Sequence, residues 1–413
     1  TVHVIGAGVA GLAAALTLAR AGRRVVVHEA SPSAGGRARA LPDGTDNGTH
    51  ALLGANRAAL AFLRDIGALG GWVEPEPAGL PVLDLANHAA RRVALAPLGW
   101  LRAAMRPAGM DAGGFLALMR LALPGLGLGG RDRSVEQAFA RHPVLLRALV
   151  EPLTVAALNT PVAEASASLL GLVLRRLGAP GAARLLVARR GLGPDLVAPA
   201  LATIGAHGGA MRFGSRLRGL LRADGRVAAL DFGETAQRLA ADDQVVLALP
   251  PWEALRLLPD IPAPTTHAPI LNVHFARAEE CDVRFIGLLG GLAQWVLVRP
   301  SGVSVTVSAA DDAVGLSDAE AAERIWPEVL AAAMAFRLPG EWPIRTPPAR
   351  AVREKRATPR HGVGPRPAPP RRPLANLALA GDWTFPSLPA TIDAAVQSGQ
   401  AAARALLHPG PRA

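Results

Sequence analysis

The sequence predicts an α/β protein in which a parallel sheet with helices is joined to a second unit of antiparallel sheet plus helices. Three observations predict it. The stretch "VHVIGAGVAGLAAALTLARAGRRVVVHEA" (2–30) reads as a short buried strand, an Ala- and Leu-rich helix closed by Gly22, and a second strand ending in an acid. Near the other end, "LANLALAGDWTFPSLPATIDAAVQSGQAAARAL" supplies another buried strand and a helix starting near Pro389 to Thr391. Between them, "PILNVHFA", "FIGLLG", "AQWVLVR" and "GVSVTVSAA" (268–310) read as antiparallel strands.

Length and composition bound what such a chain can be. With 413 residues it has room for two or three domains and a well-buried core. Its 44 Lys plus Arg against 33 Asp plus Glu leave a net charge of +11, and Lys355 is the one lysine. The charge reads first as a solvated basic surface and second as attraction to anionic lipid headgroups. Nucleic acid is excluded as a partner, because no recognisable binding module occurs and aromatics are few. The lone cysteine, Cys281, excludes an internal disulfide and points to a reducing, cytoplasmic setting. Runs 196–211 and 261–276 are broken by Pro or Gly and too short to span a membrane. Mean hydropathy is nonetheless +0.25, so apolar surface must fill a core, a lipid-sized cavity, or both.

The opening stretch is not a secretory leader, since its charges come last rather than first. Gly6, Gly8 and Gly11 form GxGxxG at the strand-to-helix turn, where a pyrophosphate can sit against the helix N-terminus. Glu29 stands 18 residues after Gly11, where a carboxylate can accept hydrogen bonds from ribose hydroxyls. A Rossmann-like dinucleotide domain follows. Next come Gly35, Gly36 and Arg37, two glycines that admit close backbone approach and a guanidinium within reach of a phosphate or a flavin edge. The distal Gly381-Asp382 can hold a ribityl chain, and the helix that starts near Thr391 and Ile392 can stabilise negative charge on a flavin. Nicotinamide enzymes do not require that second element. FAD is therefore the expected cofactor, and Trp383 reads nearly equally as lining its pocket or as a core or surface tryptophan.

GxGxxG with a distal acid, GGR, and a C-terminal GD followed by a helix together resemble the flavin amine oxidase and phytoene desaturase superfamily. Within it the chain is most similar to the hydroxysqualene dehydroxylases, or squalene-associated FAD-dependent desaturases. That likeness is carried by "DNGTHALLGANRAALAFLRDIGA" (46–68), "EPLTVAALNTPVAEASA" (151–167), "VREKRAT" (352–358) and "NLALAGDWTFPSLPATIDAAVQSG" (376–399). Asp393 departs from the family, which usually carries an acid one carbon longer there. The resemblance implies a glutathione reductase-like FAD domain and adds Gly48, Thr49 and Leu217 to the cofactor contacts. It implies reductive removal of the hydroxyl of hydroxysqualene to give squalene, a hydrophobic isoprenoid substrate, peripheral contact with the inner face of the cytoplasmic membrane, and functional coupling to squalene synthase-like enzymes. A carotenoid or phytoene-type desaturase, an amine oxidase, and a non-catalytic flavoprotein partner of squalene-synthesising enzymes are the alternatives.

The expected FAD domain is discontinuous: 1–75, 190–255 and 370–413. Residues 76–189 and 256–345 form the substrate domain, the first part mainly helical with Phe115, Met119 and Leu123 at helical spacing. Ser317 and Glu320 can form a capping box. The Pro- and Arg-rich 346–369 reads as an extended connector. Hydroxide is a poor leaving group, so a proton donor should assist C–O cleavage as hydride arrives. His50 and Asp46, in the segment expected beside the flavin, are the candidate donors, against a reading in which both only orient backbone and contact the cofactor. Lys355 is a second candidate, because related amine oxidases use a lysine to position water near N5, against a default reading as a solvent-exposed cation in the basic connector. His274 reads as a sheet residue. Asn159 and Thr160 read equally as cavity border or helix-ending turn, and "GFLALMRLALPGLGLGG" as the mouth of a lipid tunnel or an ordinary core helix.

Overall fold

The computed structural model describes residues 1–123, 132–234, 236–277 and 279–408. Strand β1 (Val2–Ile5) is buried along its whole length, as a strand covered on both faces must be. A turn at Gly6–Gly8 leads into helix α1 (Val9–Arg20), and strand β2 (Val25–His28) returns parallel to β1. Five parallel strands make this sheet, in the order Leu377–Leu379, Gln244–Leu247, β1, β2, Ala210–Arg212. Helix α1 packs along the C-terminal helix Ile392–Leu407, and both helices contact the sheet. The two helices come so close that a Cβ on Gly399 would stand 2.1 Å from the Ala10 carbonyl oxygen. Only glycine admits that approach.

The second sheet has seven strands, in the order Ala349–Pro359, His267–Phe275, Gly302–Ser308, Trp295–Arg299, Arg284–Leu289, Leu80–Asp84, Ala89–Val93. All neighbours are antiparallel except Arg284–Leu289 with Leu80–Asp84, so the sheet is mixed rather than purely antiparallel. Helix Asp318–Ala335 packs on it through the fully buried Trp326. Its capping box is formed: Glu320 N–H donates to Ser317 Oγ at 3.2 Å and Ser317 N–H to Glu320 Oε2 at 2.8 Å. A helical unit completes this lobe, with Leu118, Phe139, Leu145, Leu158 and Leu169 as its core.

Three expectations are corrected. The connector expected over 346–369 contains the eleven-residue strand Ala349–Pro359, which pairs with His267–Phe275 along most of its length. Its prolines forbid a helix but stand at the strand's end, and "ARAVREKRAT" is free to join an edge. The mainly helical 76–190 also holds the hairpin Leu80–Asp84 and Ala89–Val93 and the strand Leu185–Ala188. Finally, the apolar spacing Phe115–Met119–Leu123 does not mark the buried face of helix Ala112–Ala122. Gly114, Leu118 and Leu121 are buried, while Phe115 and Leu123 are exposed. The remainder of the proposed tunnel mouth, 124–131, lies outside the described residues.

Candidate cofactor and active site

A cavity of about 410 Å³ opens at the carboxyl ends of β1, β2 and Gln244–Leu247 and runs on beneath the mixed sheet. Ligands of open parallel sheets bind at such strand ends. Its first wall is the turn into α1. Gly6 has φ +101°, and a Cβ there would meet the Ala248 carbonyl oxygen at 2.4 Å. Gly8 caps the helix without a side chain and has nothing within 4 Å of where a Cβ would project. The first N–H groups of α1 therefore face open space suited to a pyrophosphate. Gly11 does not line the cavity; a Cβ there would come 1.9 Å from the Gly6 carbonyl oxygen, so its role is to let helix and turn touch.

Glu29 lies at the end of β2. Its Oε2 accepts from Ala7 N–H at 2.8 Å and its Oε1 from the N–H and hydroxyl of Ser31. These donors fix the carboxylate at the cavity wall, where ribose hydroxyls would reach it. Leu217 lines the same end, beside Ser215, Arg216 and Glu253. His28 beneath it is buried and stacked on Phe232, and burial pushes its imidazole down to about 4.

Further along, Gly36 and Arg37 face the C-terminal element. Arg37 Nη2 donates to Asp382 Oδ2 at 2.6 Å and Nη1 to the Ala357 carbonyl. Burial alone would lower the Arg37 guanidinium, but the adjoining Asp382 carboxylate more than offsets this and holds it charged. Gly381, Asp382, Thr391 and Ile392 all line the cavity. Thr391 caps the terminal helix through Ala394 N–H at 3.2 Å, directing that N-terminus at the space. Asp393 is turned away, its Oδ1 accepting from Ala58 and Ala59 N–H and so capping helix Arg57–Asp65.

Gly48, Thr49 and His50 line the opposite side. Thr49 Oγ1 is buried without a protein partner. An orphaned hydroxyl, an uncapped helix N-terminus and a fixed carboxylate fit a dinucleotide bound along this wall. Burial pushes the His50 imidazole below its ordinary value, against a smaller upward pull from Asp46. The ring is thus neutral at pH 7.

Three expected site residues stand elsewhere. Asp46 is buried off the cavity, its Oδ1 accepting from Leu192 N–H at 2.7 Å and its Oδ2 paired with Arg299 Nη1 at 2.8 Å. With both oxygens so held, it joins the lobes and is not placed to donate a proton. Trp383 is buried in the core, donating Nε1–H to the Leu249 carbonyl at 3.0 Å, and does not line the pocket. Lys355 is exposed on strand Ala349–Pro359, whose Glu354 is turned into the cavity instead. Asn159, in the left-handed conformation at φ +46°, ends a helix and joins it to the sheet by donating to the Ala268 carbonyl and Thr358 Oγ1. Neither it nor Thr160 borders the cavity. His274 is indeed a buried sheet residue, with Nδ1 2.9 Å from Ser304 Oγ. Sequence reasoning missed Asn272, whose Oδ1 accepts from Thr306 Oγ1 beside Gly48, and Glu354; strand alternation was the signal for both.

The family described as "Flavin containing amine oxidoreductase" matches residues 9–407. The chain belongs to that family. It is 41% identical to the hydroxysqualene dehydroxylase of Rhodopseudomonas palustris, over 99% of each chain. It is 35% identical to the hydroxysqualene dehydroxylase of Zymomonas mobilis, over 97% of each. Among solved structures, cyclohexylamine oxidase from Brevibacterium oxydans superposes with a TM-score of 0.69 at 16% identity, over 98% of each chain. An oxidoreductase from Methanosarcina mazei gives 0.69 at 14% identity, over 96% of this chain and 98% of that one. The last two establish the fold. As a member of this flavin-dependent family the chain is an enzyme with FAD as its cofactor, and the cavity is where that cofactor fits.

Proposed function

We propose that this enzyme removes the hydroxyl of hydroxysqualene reductively, giving squalene. The observation that carries the reading is its similarity, over nearly the whole length, to two hydroxysqualene dehydroxylases. Reduced FAD supplies the hydride such a reaction needs. The residues divide the remaining work. Glu29 would hold the ribose, the N-terminus of α1 the pyrophosphate, and the Arg37–Asp382 pair the middle of the cofactor. The N-terminus at Thr391 would favour negative charge on the flavin ring. Ile270, Leu249, Trp252 and Ala357 present apolar surface to the same cavity, suited to a hydrocarbon. An amine substrate is less well served, because the chain holds no tyrosine for an aromatic cage.

The substrate reaches the enzyme from an anionic lipid surface. Leu98 and Leu101 are 81% and 80% exposed, and Phe115, Leu116 and Val144 are exposed on the helical unit that follows. Arg102, Arg106 and Arg120 flank these side chains, whereas the one acid over 97–123, Asp111, is engaged in capping Gly114 N–H. Exposed apolar side chains followed in sequence by exposed arginines suit the inner face of a cytoplasmic membrane. No helix among the described residues is long and apolar enough to cross it.

The test is anaerobic. Protein whose FAD has been fully reduced is mixed with hydroxysqualene, and the expected result is flavin reoxidation with one squalene formed per flavin. Reduced FAD that hydroxysqualene fails to reoxidise, with oxidised FAD instead bleached anaerobically by phytoene or an amine, overturns the proposal.

A further inference from the structure

Four acidic side chains line the cavity: Glu29, Glu253, Glu354 and Asp382. Glu29 is held by Ala7 and Ser31 at the ribose end. Glu253 is paired with Arg216 and Arg256, and Asp382 with Arg37. Glu354 alone of the four has no side-chain partner among the described residues. It projects from strand Ala349–Pro359, whose register sets it opposite Ile270, itself part of the apolar wall. Of the other ionisable groups lining the cavity, Arg37 faces Glu354 as a cation already paired with Asp382, and burial pushes the His50 imidazole below its ordinary value, leaving it without the charge an imidazolium acid needs. The geometry points to Glu354 as the catalytic acid that protonates the departing hydroxyl.

This assignment rests on the proposed substrate. The Glu354 carboxyl proton passes to the hydroxyl oxygen, the C–O bond breaks, and the oxygen leaves as water. The carbon takes two electrons and a hydrogen as hydride from reduced FAD, which becomes oxidised, and Glu354 is left as carboxylate until solvent reprotonates it. Lys355, one residue on, points out of the cavity and takes no part.

The experiment compares wild type, E354Q, E354D and K355M in single turnover with hydroxysqualene, alongside FAD content, FAD affinity and thermal midpoint. Expected for E354Q is normal FAD content and midpoint with squalene formation slower by about 100-fold or more, the usual loss on removing a general acid. The pH–rate profile of wild type should be altered in E354Q and kept, at reduced rate, in E354D; K355M should match wild type. E354Q turning over at the wild-type rate with the same pH profile overturns the assignment while leaving the substrate intact. Wild type that loads and reduces FAD yet is inert to hydroxysqualene overturns the substrate reading and the acid together.

Discussion

Asp46 shows how a single carboxylate can be read as chemistry and turn out to be architecture. It sits next to the cavity-lining Asn47, Gly48 and Thr49, but its partner is Arg299 from the second sheet, which also donates to the Ala188 carbonyl. Asp46→Ala would leave that guanidinium buried and uncompensated, at a cost of about 3–5 kcal/mol. The expected outcome is a large drop in denaturation midpoint for the variant, with activity per folded molecule retained; unchanged stability with lost turnover would restore Asp46 to the chemistry. His361 provides a second residue-level prediction. It is buried, accepts from Ala390 N–H through Nε2 at 3.0 Å, and burial pushes it down to about 4. Above pH 6.5 the ring is neutral folded and unfolded alike, so its contribution is fully present. As pH falls from there towards about 4 the unfolded chain takes up a proton that the folded one refuses, and stability is lost. Thermal melts across that window should fall for wild type and fall less steeply for His361→Asn.

At the scale of elements, the glycine turn, both strands of the opening unit and the terminal helix were legible because each is local. Buried apolar runs, a closing glycine and a capping threonine act within a few residues of one another. The strand Ala349–Pro359 was not legible, because it is made by pairing with His267–Phe275, far away in sequence, while its own composition reads as linker. Mistaking it hid the alternation that turns Glu354 inward and Lys355 outward. The apolar stripe of helix Ala112–Ala122 misled for a related reason: periodicity marks an apolar face without saying what covers it, and Phe115 and Leu123 face outward. Packing of α1 against the terminal helix yields its own prediction. Gly399→Val places branched carbon where 2.1 Å separates a Cβ from the Ala10 carbonyl oxygen, so the helices must part. Overpacking of this kind costs about 1–3 kcal/mol or more. Weaker FAD retention on gel filtration, together with a lower melting point, is the outcome expected.

For the molecule as a whole, the cavity is lined by residues of both the parallel and the mixed sheet, with Asp46–Arg299 among the ties between the two lobes. The fold class was readable in the sequence from three short stretches, whereas the mutual placement of the lobes was not, since it depends on contacts such as Asn159 to Thr358 that no local pattern encodes. The exposed Leu98 and Leu101 belong to this scale too. L98S combined with L101S should weaken cosedimentation with vesicles rich in anionic lipid several-fold and leave the flavin spectrum unaltered; equal binding by both proteins would remove the lipid surface from this face.

All of this depends on one long cofactor lying between the two sheets, and the most direct measurement is of that cofactor. Protein stripped of flavin is titrated with FAD while absorbance and bound stoichiometry are followed. One FAD per chain should bind, and far more weakly after Glu29→Ala or Arg37→Ala. Folded protein that stays colourless and takes up no FAD would contradict it.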